Sequence, residues 1–70
     1  MTELERKCLK QNATELRRIA TKMNSLKDAP TRSIAQAEVF CLQERLAEVI
    51  DTMESLKVVI AQPLKNSTNQ

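Results

Sequence analysis

The sequence predicts an all-α protein, a two-helix antiparallel coiled-coil hairpin. Three observations carry this. Helix-favouring residues fill two long segments that Pro30 separates, with Pro63 closing the second, and the chain contains no Gly. A heptad register fits both segments, and thirteen of its fourteen seam positions are apolar. Charges flanking the seam agree with an antiparallel pairing about Pro30.

The first helix is expected over about 2–28. Its a positions are Leu9, Leu16 and Met23, and its d positions are Asn12, Ile19 and Leu26. Asn12 is the one polar seam residue, placed to fix register or to stay wet near the open end. The segment Lys27-Asp-Ala-Pro-Thr-Arg-Ser33 is turn-like, with the turn itself at about 29–32. Thr31 or Ser33 can cap the second helix, and Ser33 with Gln36 has capping-box spacing. The second helix is expected over about 33–62. It carries Val39, Leu46, Met53 and Ile60 at a, and Ala35, Leu42, Val49 and Leu56 at d. Residues 1–62 thus form the hairpin, and 63–70 a flexible polar tail.

In an antiparallel pair, g positions face g positions. Glu15 then faces Arg45 and Lys22 faces Glu38, both pairs of opposite sign. Both pairs of residue numbers add to 60, which places the hinge at Pro30, where the proline independently puts it. The same rule sets Cys8 near Thr52 and Cys41 near the middle of the first helix, so the two thiols are too far apart to bridge.

Composition limits chemistry. The chain has 70 residues, no His, no Gly, no Trp, no Tyr and one aromatic, Phe40. A glycine-cradled phosphate site is excluded, the commonest general base is missing, and two Cys cannot complete a four-ligand zinc site. Glu44, Glu48 and Asp51 share one helix face and are read as solubilising rather than metal-binding. The expectation is no enzyme, no cofactor and no metal. Net charge is +2, too balanced to define a nucleic-acid binder. Residues 1–29 carry seven bases and four acids, and residues 30–70 four bases and five acids. Lys10, Arg17, Arg18 and Lys22 form a basic strip interrupted by Glu15, read as a solvated face with no nucleic-acid partner. Met1 leads straight into a charged segment, and the longest strictly apolar run is Val58–Ala61. The expectation is therefore a cytoplasmic protein with reduced thiols and no membrane span.

Apolar residues outside the seam concentrate on the second helix. Ile34, Ala37 and Cys41 recur at i, i+3 and i+7, and Phe40, Ala47, Ile50, Val58 and Val59 add to them. The first helix outside its seam is mostly polar. A surplus of this kind marks contact with another chain, with Phe40 as the natural anchor. The expected role is a non-catalytic binding module whose partner is a protein. A self-associating four-helix bundle is the first alternative, and an RNA-binding hairpin dimer the second.

The opening Met1-Thr-Glu-Leu-Glu5, the length, the polar mid-chain turn and the apolar second helix ending in Leu56-Lys-Val-Val-Ile60 carry a resemblance. The chain resembles the small hairpin cochaperones of the type III secretion needle subunit, the YscE/PscE family. It lacks the Tyr-Gln pair often found early in their second helix, and Val39-Phe40 stands near that place. The resemblance implies pairing with a larger helical-repeat chaperone, the two together keeping the needle subunit unpolymerised in the cytoplasm before export.

Overall fold

The computed structural model describes residues 1–62. Two α-helices, α1 (Glu3–Ser25) and α2 (Arg32–Ala61), pack against each other as an antiparallel hairpin, with no strand among the described residues. The expected tail at 63–70 lies outside the described residues.

Each helix begins at a hydroxyl cap. Thr2 starts α1 with a reciprocal capping box: its Oγ1 accepts from the Glu5 backbone N–H at 3.1 Å, and its own N–H donates to Glu5 Oε1 at 2.8 Å. Thr31, in extended conformation, caps α2 by accepting from the Ile34 N–H at 3.1 Å. Of the two candidate caps, Thr31 takes the role, and Ser33 falls inside the first turn.

The connection is tight. α1 runs into a 3-10 turn at Leu26–Asp28, closed by the Ala29 N–H donating to the Leu26 carbonyl. Ala29 is extended, as the residue before a proline prefers, and Pro30 precedes the cap of α2. The helical path therefore breaks at the expected place, but the last turn of the first segment is 3-10 rather than α.

Among the described residues the core is a single row. Ile19, Leu42, Val49 and Leu56, all at d, are the buried hydrophobic residues, and Leu26 and Leu46 pack partly buried against the first three. Here the structure departs from the heptad expectation. Leu9, Leu16, Met23, Val39, Met53 and Ile60, assigned to the seam at a, lie along its open edge. Leu9 and Leu16 are each 38% exposed, and the other four are about half exposed. The reason is a rotation of both helices toward their g positions. Arg45 donates to Glu15 at 2.8 Å, Lys22 lies 3.7 Å from Glu38, and Cys8 and Thr52 are half-buried on the same side. Two helices alone can cover only part of each other's circumference. With d central and g closing one side, the a row is left open to solvent on the other.

Candidate protein-interaction surface

The open edge is the first component of the site. At 100° per residue, e follows a around the helix. On α1 the a and e positions from Leu9 to Met23 read Leu9, Ala13, Leu16, Ala20 and Met23. On α2 those from Gln36 to Met53 read Gln36, Val39, Gln43, Leu46, Ile50 and Met53. None is charged. Between the helices this side opens as an apolar groove of about 300 Å³, with Met23, Val39, Leu42, Gln43 and Leu46 around it.

The second component is the outer surface of α2. All eight residues singled out as partner-binding are exposed: Ile34, Ala37, Phe40, Cys41, Ala47, Ile50, Val58 and Val59. Phe40, the lone aromatic, is 61% exposed. The structure does not join them into one patch. Ile34, Ala37, Phe40 and Cys41 gather at the hinge end. Val58 and Val59 lie at the open end, where Val59 and Ile60 border a smaller groove with Met1 and Glu5. The carboxylates Glu44, Glu48 and Asp51 stand between the two clusters, which are roughly 30 Å apart along the helix. Ala47 and Ile50 join the open edge rather than either cluster.

Heptad spacing alone did not reveal that the a row is exposed. A signal was available in the flanks. The g positions carry the complementary charges, whereas the e positions carry Ala13, Ala20, Gln36, Gln43 and Ile50, with only the like-charged Arg6, Lys27 and Lys57 toward the ends. A hairpin with opposite charges on one flank only closes on that flank.

The opposite side has a different character. A groove of about 510 Å³ runs beside Thr14, Arg17, Arg18, Thr21 and Arg45. Its charges are largely matched: Glu15 bonds Arg45 and lies 3.9 Å from Arg18, and Lys22 pairs with Glu38. The Arg45 hydrogen bond, and secondarily its charge with that of Arg18, holds the Glu15 carboxyl below the usual carboxylate range, and Glu15 in turn raises Arg45. This side is built as part of the seam, and Arg17 and Lys10 make no ion pair within 4 Å among the described residues.

Both thiols are free, Cys8 half-buried and Cys41 exposed. Asn12 is half-buried, and its Nδ2 is buried with no hydrogen-bond partner among the described residues. Among the described residues no three His, Cys, Asp or Glu side chains gather as a metal site, and no helix is long and apolar enough to cross a membrane.

These features define a helical hairpin with two apolar surfaces and a thin core. Compared with known proteins, the chain matches no family model, no curated protein and no solved structure.

Proposed function

We propose that the protein is a non-catalytic binding module that presents the outer surface of α2 to another protein. The observation that carries this is the hinge-end cluster, where Phe40 is 61% and Ile34 45% exposed beside Ala37 and Cys41. Large apolar side chains so displayed lose free energy in water and regain it in a partner's pocket. The resemblance in the opening segment and the second helix supports the narrower role of a cochaperone. In that role the hairpin pairs with a helical-repeat chaperone in the cytoplasm, and the pair shields a self-polymerising needle subunit. The chemistry is consistent: a polymerising helical protein has an apolar face to cover, and this hairpin has one to offer.

Co-expression tests the reading. The chain is produced with the needle subunit and helical-repeat chaperone of its own source genome. The three are expected to purify together, and Phe40→Asp is expected to remove the hairpin from the complex while retaining its helical circular dichroism. Purification of the wild-type chain free of both proteins contradicts the cochaperone role.

A further inference from the structure

Around each helix, e follows a on the open edge, and b follows e as its outer border. We infer that this edge seats one helix of the partner protein, an amphipathic helix whose apolar stripe is flanked by carboxylates, and that the three helices form a bundle. Phe40, at b on α2, borders both this edge and the hinge-end cluster. The inference therefore rests on the binding-module reading and deepens it, by naming the chemistry of the partner.

The first ground is shape. The edge is a trough between two helices. Met23 of α1 and Val39, Leu42, Gln43 and Leu46 of α2 line the groove of about 300 Å³. Toward the hinge, a further hollow is lined by Arg32, Ala35, Gln36 and Val39. The a row of a sustained heptad repeat is the pattern of a packed layer, yet Leu9, Leu16, Met23, Val39 and Met53 are 38% to 52% exposed. Ala13 and Ala20 beside them are small enough to let another helix approach closely. A rod fills such a trough, whereas a flat bilayer surface touches only its walls. From Leu9 to Met23 the trough runs roughly 21 Å, the length of a helix of about fifteen residues.

The second ground is charge, and it selects the occupant. Along α1 the edge carries Arg6 and Lys27 at e, and Glu3, Lys10 and Arg17 at b. Along α2 it carries Arg32 at a and Lys57 at e, with Phe40, Ala47 and Glu54 at b. Lys57 lies 3.0 Å from Glu54 and offsets it. Glu44, Glu48 and Asp51, at f and c, are turned away from the edge. Ion pairing divides the bases in the same way. On the seam side, Arg18 and Arg45 pair with Glu15, and Lys22 with Glu38. Among the described residues Arg6, Lys10, Arg17, Lys27 and Arg32, all at the edge, make no ion pair within 4 Å, and Lys7 at f is the only other such base. Five unmatched cations thus border an apolar trough, against one unmatched carboxylate, Glu3. A second copy presenting the same edge brings the same excess of cations. Its carboxylate face at Glu44, Glu48 and Asp51 carries no apolar row to fill the trough. A nucleic acid supplies phosphates but likewise leaves the trough empty. A helix with an apolar stripe and acidic flanks satisfies both halves of the surface. Lys10 and Arg17 are two turns apart, roughly 10.5 Å, so carboxylates seven residues apart on one flank of the occupant meet both.

The experiment is fluorescence anisotropy of a labelled synthetic peptide titrated with the full chain, at low salt and with reductant. The probe is an amphipathic helix of about three heptads, with Leu at a and d and Glu at e and g. A twin carries Lys in place of Glu, and like charges at e and g keep each peptide from pairing with itself. Two variants of the chain accompany the wild type, Lys10→Glu with Arg17→Glu at the border and Val39→Gln with Met53→Gln in the trough. Neither pair touches Phe40 or the hinge-end cluster, and circular dichroism checks helicity. The wild type is expected to bind the Glu peptide at least about tenfold more tightly than the Lys twin. The border variant is expected to lose at least about tenfold toward the Glu peptide, because two attractions become two repulsions, and to gain affinity for the Lys twin. A variant that merely failed to fold would not gain. The trough variant is expected to lose both peptides. No saturable binding of the Glu peptide up to submillimolar chain overturns the inference. So does a border variant that binds both peptides within about twofold of the wild type. So does binding to phosphatidylglycerol vesicles, or a dimer by sedimentation equilibrium that the trough variant dissociates, in place of peptide binding. The two readings fail separately. A hairpin that co-purifies with its partners through Phe40 but ignores the Glu peptide keeps the binding-module reading and overturns the edge. One that binds the peptide as expected but purifies free of both secretion proteins supports the edge and loses the cochaperone role.

Discussion

Asn12 is the polar defect in the apolar layers. Its Nδ2 is buried without a partner among the described residues, and an unmatched buried donor costs roughly 1–3 kcal/mol. Asn12→Leu is therefore expected to raise stability by about 1 kcal/mol, several degrees in melting temperature for a domain of this size. An unchanged or lower melting point contradicts the cost assigned to that amide. Glu15 supplies a different test. Its folded-state pKa lies below the usual range because Arg45 hydrogen-bonds the carboxylate. The stabilisation it contributes is full above the ordinary carboxylate pKa and disappears as pH falls through the lowered folded value. Glu15→Gln is expected to melt below the wild type near neutral pH. The gap should close in strong acid and narrow in high salt. Thermal melts from pH 2 to 7 read this directly, and a gap constant across that range contradicts it.

At the scale of elements, each helix is set by its first turn. The Thr2–Glu5 box and the Thr31 cap satisfy backbone donors that no carbonyl within the helix can reach. Thr31→Ala is expected to cost about 1 kcal/mol, by loss of the bond to the Ile34 N–H. Thr31→Asn is expected to recover most of it. Denaturant midpoints for the two variants decide, and equal midpoints show that the cap contributes nothing. The helices differ in what lies beyond the seam. α1 spends its large apolar residues on d and a, except Leu4, which is 70% exposed near its start. α2 does the same and then adds Ile34, Phe40, Val58 and Val59, each 45% to 61% exposed. That asymmetry is why α2 is the element proposed to bear the contact. Its two ends are separate apolar clusters, because the Glu44–Glu48–Asp51 face lies between them.

At the scale of the whole molecule, a single buried row makes stability depend on company. Leu42→Ala is expected to cost about 2–5 kcal/mol, as a fully packed leucine does. Against so small a core, a loss of that size leaves the hairpin unfolded at room temperature by circular dichroism. A melting temperature that rises with the concentration of the acidic helical peptide is expected as well, because binding stabilises the folded form by mass action. A melt that the peptide leaves unmoved fits a self-sufficient hairpin instead.

Much of this architecture was legible in the sequence. Propensity, Pro30 and a period of seven are local properties of the chain, so the two helices, the hinge and the Glu15–Arg45 and Lys22–Glu38 pairs could be read before any coordinates. The Thr31 cap was one of two candidates, and the Thr2–Glu5 box lay in plain spacing without being singled out. The rotation of the helices about their own axes was not legible. A heptad pattern says that a and d are apolar, but not which of them two helices alone can cover. That is a competition between covering a on one flank and pairing the g charges on the other, decided only when both helices are in place. The structure resolves it in favour of d and g. Six seam residues, Leu9, Leu16, Met23, Val39, Met53 and Ile60, become a surface as a result. The sequence by itself determined a helical hairpin with more apolar surface than it can bury. Only the tertiary structure decided where that surplus faces, because facing is a relation between two helices and no single stretch of chain contains it.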